Sequence, residues 1–452
     1  MLVTSMIMAL VTLLTTAFTL LRNARSALAV ADIGGTASLI PYYELAALPA
    51  SILLSWCLAS FLKKRSLPVV FYYTLAAFVL FLSGYIVFFY PFWKTHAAYW
   101  LASSSFLSHI SFYLSVGSFF VVTELWKVAL ISILLWGFIN NYMTLSYAKN
   151  TYAPLMLGTS LGGFLAGPLV ELSTQWGPEV LHSIAIDAWH ATLLFEMGII
   201  ACTSCIGGGL FFVLIRKMSV SSHPNFEKER IDLVKSFQAT VGNPILSSLS
   251  FIVLTDYITY TLFEVLFLDT LKSSYPQPID FNGIMGSLNQ WAGALTAFAA
   301  IIVGPWAMRR CSWKTVALVT PVSVIALAGP YMLLVMMGLG HIELALILSC
   351  TCYCVCRATK YALLDSSKEL AYLALNSTLR MQGKLIIEGI ASRGGRALAS
   401  LTTIGLITFS GGIAASATPL FVTFLSTAYL WTKMTLKMGD VLDSALVEET
   451  NN

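Results

Sequence analysis

The sequence predicts an all-α integral membrane protein with about 12 transmembrane helices in two six-helix halves. Three observations predict it. Of the 452 residues, 57% are hydrophobic and only 11% charged, against about a quarter charged in ordinary soluble domains. Apolar runs of the roughly 20 residues needed to cross a bilayer recur along the chain. The most polar stretch, "RKMSVSSHPNFEKERIDLVKSFQAT" from Arg216 to Thr240, divides those runs six and six.

Taken in order, the N-terminal half (1–216) carries runs near 4–29, 39–62, 69–90, 106–139, 150–172 and 192–216. A cytoplasmic linker is expected over 217–240. The C-terminal half (241–434) carries runs near 243–268, 283–307, 313–337, 340–362, 383–408 and 411–433, followed by a tail over 435–452. The run at 106–139 is longer than a membrane is thick, so it tilts, extends past the lipid or hides a break. No cleavable signal peptide is expected, because no basic region precedes the first apolar run.

Orientation follows from the Lys and Arg bias of the connecting segments. One set holds Lys63, Lys64 and Arg65, then Lys149, Arg216, Lys217, Lys228 and Arg230, then Arg309, Arg310, Lys314, Arg357, Lys360 and Arg380. The opposite set is acidic or bare (Glu179, Asp187, Asp269, Asp280, Glu343), with Lys94 and Lys272 against the trend. Both termini are therefore expected in the cytoplasm. "KKRSLP" at 63–68 and "RRCSWK" at 309–314 are short basic turns between the second and third runs of their halves, offset by 246 residues. Two parallel six-helix repeats form the major-facilitator-like arrangement, whose substrate site lies at the bilayer midplane.

A net charge of +4 is too small to argue for nucleic-acid binding. Among the eight cysteines, "CTCYCVC" at 350–356 resembles a metal site, but on a helix only positions four apart share a face. These cysteines read as small packing residues. No histidine pairs with a carboxylate at zinc-site spacing and no phosphate-binding Walker A motif occurs, so no metal, cofactor or catalytic residue is expected.

Ionisable residues inside apolar runs cost about 2.5–3.5 kcal/mol each on insertion scales, and those that persist line functional cavities. Here they are Arg22 and Arg25 in the first run, Glu124 and Lys127 in the fourth and Glu264 in the seventh. Lys384, Glu388, Arg393 and Arg396 follow in the eleventh, with Lys368 just before it. Snorkelling to an interface is the competing reading for Arg22 and Lys384, but does not reach Glu124 and Glu264, deep in their runs. Cations at several depths favour an anionic solute: guanidinium groups pair bidentately with phosphate and ammonium groups act as point charges. Buried carboxylates such as Glu264 hold those cations when the site is empty, or carry a proton.

Several segments carry a family resemblance. "LLDSSKELAYLAL" resembles "FDPTKEMAYIPL", a signature of the bacterial and plastid ATP/ADP translocases, the nucleotide transporters of obligate intracellular bacteria. "VVTELWKVALISILLWGFINNYMT" resembles "ELWGSVVLSLLFWGFANQIT", matching at Glu124, Leu125, Trp126, Trp136, Gly137, Phe138 and Asn140. "YTLFEVLF" resembles "INLVEVTWK", with Glu264 on its glutamate, and "SSYPQPIDFNGIMG" follows the family's Tyr-Pro and Asn-x-x-x-Gly pattern. "QGKLIIEGIASRGGRA" resembles "KGKAAVDVVGSRLGKS" at Gly383, Lys384, Ser392 and Arg393. The resemblance runs along nearly the whole chain.

The resemblance implies a non-enzymatic membrane antiporter that imports ATP against ADP. It places substrate-binding roles on Arg25 (a lysine in the family's "KDTLVV"), Glu124, Glu264 and Lys384, with Lys368 as the other candidate for the late lysine and Arg393 and Asn140 on matched motif positions. The chain departs from the pattern at Ser26 (aspartate), Ser38 (glutamate), Glu44 (lysine), Phe267 (tryptophan) and Leu268 (lysine). Those departures leave two alternatives open: proton-coupled net import or exchange of NAD or another nucleotide, and a non-transporting membrane interaction protein. The expected partners are ATP, ADP and the lipid bilayer, with no nucleic acid, in a monomer at the bacterial inner membrane.

Overall fold

The computed structural model describes residues 2–103, 105–142, 145–217 and 233–451. Further side chains, including those of 140–156 and 443–451, lie outside the description. The described residues form α1 (Leu2–Val30), α2 (Leu39–Leu62), α3 (Leu67–Gly84), α4 (Tyr90–Ala102), α5 (Phe106–Trp126), α6 (Trp136–Tyr142), α7 (Leu145–Leu181), α8 (Ala188–Lys217) and α9 (Leu233–Gly242). They continue as α10 (Pro244–Ser274), α11 (Pro278–Phe298), α12 (Gly304–Arg310), α13 (Trp313–Met336), α14 (Glu343–Thr359), α15 (Asp365–Leu373), α16 (Ser377–Lys384), α17 (Ser392–Ser410) and α18 (Ile413–Asn451). An all-helical chain satisfies every backbone group within its own segments, as lipid demands.

Among the described residues, nine helical stretches are long and apolar enough to cross a membrane. The runs expected at 150–172, 340–362 and 383–408 are helical but are not among the nine. In the last two the regular helix is interrupted: π-helical turns at Lys360–Leu364 and Leu385–Ala391 sit within charged sequence. The long run at 106–139 does contain a break, a π-helix over Lys127–Leu135. Further π-turns lie at Tyr85–Phe89 and Ala299–Val303. Wider π-turns re-aim the side chains that follow and concentrate at functional positions.

The sequence-based boundaries shift in two places. Lys94, expected in a connecting segment, lies within α4, because the helix continues through the Tyr85–Phe89 turn. The last part of the expected linker, from residue 233 to 240, is helical and belongs to α9, which runs on to Gly242 and has an amphipathic pattern.

The chain forms two compact units. Unit 1 comprises Met1–Pro224 and Tyr275–Ala294; unit 2 comprises Asn225–Ser274 and Leu295–Asn452. The segment 275–294 belongs by sequence to the C-terminal half and by contact to unit 1. In unit 1, α1 packs against α7, α8 and α5. Two contacts of α7 depend on absent side chains: toward α11, a Cβ on Gly293 would lie 2.6 Å from the backbone nitrogen of Phe164, and toward α1, one on Gly162 would lie 2.9 Å from the Thr12 carbonyl oxygen. Such small residues let membrane helices approach closely, where no hydrophobic force separates protein from lipid. In unit 2, α18 packs along α10 and α13, and α17 lies against α10. There a Cβ on Gly395 would meet the Leu254 carbonyl oxygen at 2.8 Å.

Candidate functional site

In unit 1 the decisive pair is Arg25 and Glu124. Phe18, Arg22 and Arg25 recur at helical spacing on α1, and Phe120, Glu124 and Lys127 do so from α5 into its π-turn. The helices meet along these stripes: Arg25 Nη1 lies 2.5 Å from Glu124 Oε1, with side chains 5% and 16% exposed. The Arg25 guanidinium stacks over the Phe120 ring at 4.1 Å, and Lys127 Nζ lies 5.8 Å from the Phe18 ring centre. Arg25 therefore has Glu124 as its carboxylate within this unit. The close Arg25–Glu124 contact is not aligned as a hydrogen bond, and Nε and Nη1 keep unmet donor capacity. A buried guanidinium with donors to spare can take an anion. Tyr43 braces the cluster, its ring 5.4 Å from Phe120, in space that Gly117 leaves open.

A second polar cluster lies just past the C-terminal end of α1, beyond Arg25. Lys94 Nζ contacts Asp32 at 3.1 Å and Asp187 at 2.9 Å, and donates to the Tyr90 hydroxyl, which donates to Asp32 Oδ2. Asp187 also caps α8 by accepting from the His190 amide at 2.7 Å. Burial pushes the Asp187 carboxyl upward, but that amide and Lys94 outweigh it and hold it below the usual range.

In unit 2 the stretch "DSSKELAYL" is helix α15. Lys368, 11% exposed, contacts Asp365 at 2.8 Å and Glu388 at 3.0 Å. Its neighbour Glu369 holds Lys384 at 2.6 Å, and Lys384 also lies 5.2 Å from the Tyr372 ring centre. Lys368–Glu388 and Glu369–Lys384 thus lace α15 to the helix that spans α16 and the following π-turn. Arg380 caps the end of α15 by donating to the Tyr372 and Leu375 carbonyls. Trp313 Nε1 donates to the Ser367 carbonyl at 2.8 Å. Burial pulls the Lys368 ammonium down, but Asp365 and Glu388 outweigh it and hold it well above the usual lysine range, so it stays charged. Arg393 is half-buried on α17, and Glu264 is half-buried and engaged on α10. Asn140's side chain lies outside the described residues.

Sequence reasoning missed an enclosed ion pair of unit 2. Lys360 Nζ contacts Asp256 Oδ2 at 2.5 Å, with side chains 15% and 6% exposed. Lys360 also lies 3.9 Å from the Tyr257 ring centre, and the Arg396 guanidinium 5.4 Å from it. The signal was present, since Asp256 interrupts the apolar run "LSFIVLTDYITY" just as Glu264 interrupts the next turns. Lys360 was read only as a basic loop residue marking a membrane side, yet it opens a π-turn. Glu196 in "ATLLFEMGII" was missed for the same reason. In "CTCYCVC", the Sγ atoms of Cys352 and Cys356, four apart on one face, lie 3.3 Å apart. At the departures from the family pattern, Phe267 and Leu268 are buried, with Phe267 stacked against Phe263 and Tyr353.

Residues 2–440 match the family model described as TLC ATP/ADP transporter. The chain belongs to that family. It is 27% identical over 461 residues to ADP,ATP carrier protein 1 of Chlamydia muridarum (strain MoPn / Nigg), covering 95% of this chain and 86% of the relative. It is 25% identical over 468 residues to ADP,ATP carrier protein 1, chloroplastic, of Arabidopsis thaliana, covering 96% and 72%. Among solved structures, it is similar to a bacterial homologue of the iron transporter ferroportin in an inward-facing state (TM-score 0.61, 12% identity, 95% of this chain and 98% of that one). The nucleoside transporter NupG gives a TM-score of 0.59 at 12% identity, covering 96% and 99%. The fold is that of major-facilitator-like transporters, and the protein is a multi-pass membrane transporter.

Proposed function

We propose that this TLC-family transporter exchanges adenine nucleotides, importing ATP against ADP across a bacterial cell membrane with both termini in the cytoplasm. The observation that carries the reading is the buried Arg25–Glu124 pair on facing helices, with Arg25 donors unmet, in a chain matched by the family model over residues 2–440. In the empty protein Glu124 neutralises Arg25. An arriving phosphate competes for the guanidinium and takes its open donors, so charge is exchanged rather than created in a low-dielectric place. Lys384 and Lys368 in unit 2 are proposed as further phosphate contacts, and Glu264 as a carboxylate that holds a cation in the empty state. The protein works as a monomer in the bilayer.

ATP carries one more negative charge than ADP, so uncompensated exchange moves charge worth about 2.3 kcal/mol per 100 mV. The test is uptake of labelled ATP into proteoliposomes that are empty or preloaded with ADP. Exchange predicts much faster entry into loaded vesicles. Equal rates that collapse when a proton gradient is removed would replace exchange by proton-coupled import.

Lys384→Ala is expected to reduce exchange severely at nearly unchanged stability. Its pair with Glu369 is half-exposed, with side chains 41% and 60% accessible, and exposed pairs contribute about 1 kcal/mol or less. Uptake at the parent's rate by a normally expressed variant removes Lys384 from the phosphate path.

A further inference from the structure

Among the described residues of unit 1, the least compensated charge-bearing group is Glu196. It lies eight residues beyond Ala188 on α8, about 12 Å along the axis at 1.5 Å per residue, and is 1% exposed. Asn282 on α11, fully buried, donates from Nδ2 to Glu196 Oε1 at 2.6 Å. Two atoms of this pair are orphaned: Glu196 Oε2 and Asn282 Oδ1 both lack a hydrogen-bond partner. Among the described residues Glu196 has no ion pair.

Among the described residues, the ionisable groups on the elements around α8 are paired elsewhere or exposed. On α1, Arg25 faces Glu124, and Arg22 has partners of its own. On α3 and its π-turn, Tyr72 donates to the Gly208 carbonyl and Tyr85 to the Ser115 carbonyl. Lys94 on α4 is held by Asp32 and Asp187, and Glu171 on α7 is exposed and accepts from Gln175. On α8 itself, His190 Nε2 pairs with the Ile86 carbonyl. On α11, Asp280 is exposed.

An ionised carboxylate only accepts hydrogen bonds, and an amide oxygen only accepts. As two acceptors, Oε2 and Oδ1 have nothing to offer one another. A proton on Oε2 makes it a donor for Oδ1 and completes a doubly hydrogen-bonded acid–amide pair. We propose that Glu196 and Asn282 form a proton-binding site, occupied in this state, in which the proton ties α8 to α11. The segment that carries Asn282 is continuous in sequence with unit 2 at both ends, so proton release loosens the hold of α8 on that segment. That the proton is bound and released in step with nucleotide exchange rests on the exchange reading; the site itself does not.

The first measurement is infrared difference spectroscopy on the full-length protein in liposomes. Wild type minus Glu196→Gln should show a protonated-carboxyl C=O band near neutral pH that is lost at alkaline pH. Its absence throughout the range below about pH 8, where protonated buried glutamates are documented, overturns the proposal. If Glu196→Gln does not assemble, Asn282→Ala should shift the same band to higher frequency, and an unmoved band counts against the pairing. The second measurement is ATP/ADP exchange in the same vesicles from about pH 7 to about pH 9. Wild-type exchange should fall several-fold while Glu196→Gln, isosteric with the protonated acid, stays level. Parallel curves overturn the link to transport. A wild type inactive at every pH overturns the exchange reading and leaves the infrared result standing.

Discussion

Arg25→Ala is expected to abolish nearly all exchange, and Arg25→Lys to keep part of it with an altered preference between di- and triphosphates. Arg25 is 5% exposed against Glu124. Removing one partner of a buried pair leaves an uncompensated charge and costs about 3–5 kcal/mol. Loss of transport by Arg25→Ala alone is therefore ambiguous between function and folding. The double variant Arg25→Ala/Glu124→Ala resolves this, because it removes both charges and should recover much of the stability while staying inactive. Lysine restores the charge but not the planar fork or the stacking over Phe120, so it meets phosphate as a single point charge. The measurement is initial uptake of labelled ATP and ADP by the four proteins at matched membrane levels, beside their thermal unfolding in detergent. An active double variant would remove Arg25 from substrate handling and leave the pair as a device that joins α1 to α5.

How much of this was legible depended on which physical rule each residue obeys. Composition and run length fixed an all-helical membrane fold, because hydrocarbon admits few other solutions. The Arg25–Glu124 partnership follows from two stripes of matching helical spacing, readable once both residues stand out as charges in apolar runs. The stretch around Lys368 stood out equally, but its helical state did not. Lys368 and Glu369 reach Glu388 and Lys384, 15 to 20 residues away in sequence, and no local period announces contacts at that distance. The π-turns were illegible because one extra residue per turn leaves no mark in a hydrophobic pattern, yet they set where Lys127, Lys360 and Glu388 point. The membership of 275–294 in unit 1 depends on tertiary packing of Gly286 and Gly293 against α7. Asp256 and Glu196 belong to a different class: the insertion-cost argument that selected Glu264 applied to them without change.

The pair found only in the structure carries the largest stability effect expected in unit 2. Asp256→Ala leaves the Lys360 ammonium beside Tyr257, with Arg396 near the same ring. A lone buried cation there costs about 3–5 kcal/mol, a large fraction of the 5–15 kcal/mol that holds an ordinary domain together. Asp256→Asn keeps the shape but not the charge, so it should destabilise by a similar amount; Lys360→Met, which leaves Asp256 unpaired, should do the same. The double variant Asp256→Leu/Lys360→Met replaces the pair with apolar side chains and should unfold near the parent, since a buried pair contributes little beyond what hydrophobic packing supplies. Transport separates the two meanings of the pair. If Lys360 only braces α10 against the π-turn that follows α14, the apolar double variant should exchange nucleotides as well as it folds. If Lys360 also meets phosphate when Asp256 releases it, the same variant should be stable and inactive. Thermal unfolding and exchange measured on the parent and the four variants decide it, and a double variant as unstable as either single one would show that the pair's geometry, rather than its charge balance, holds this part of unit 2.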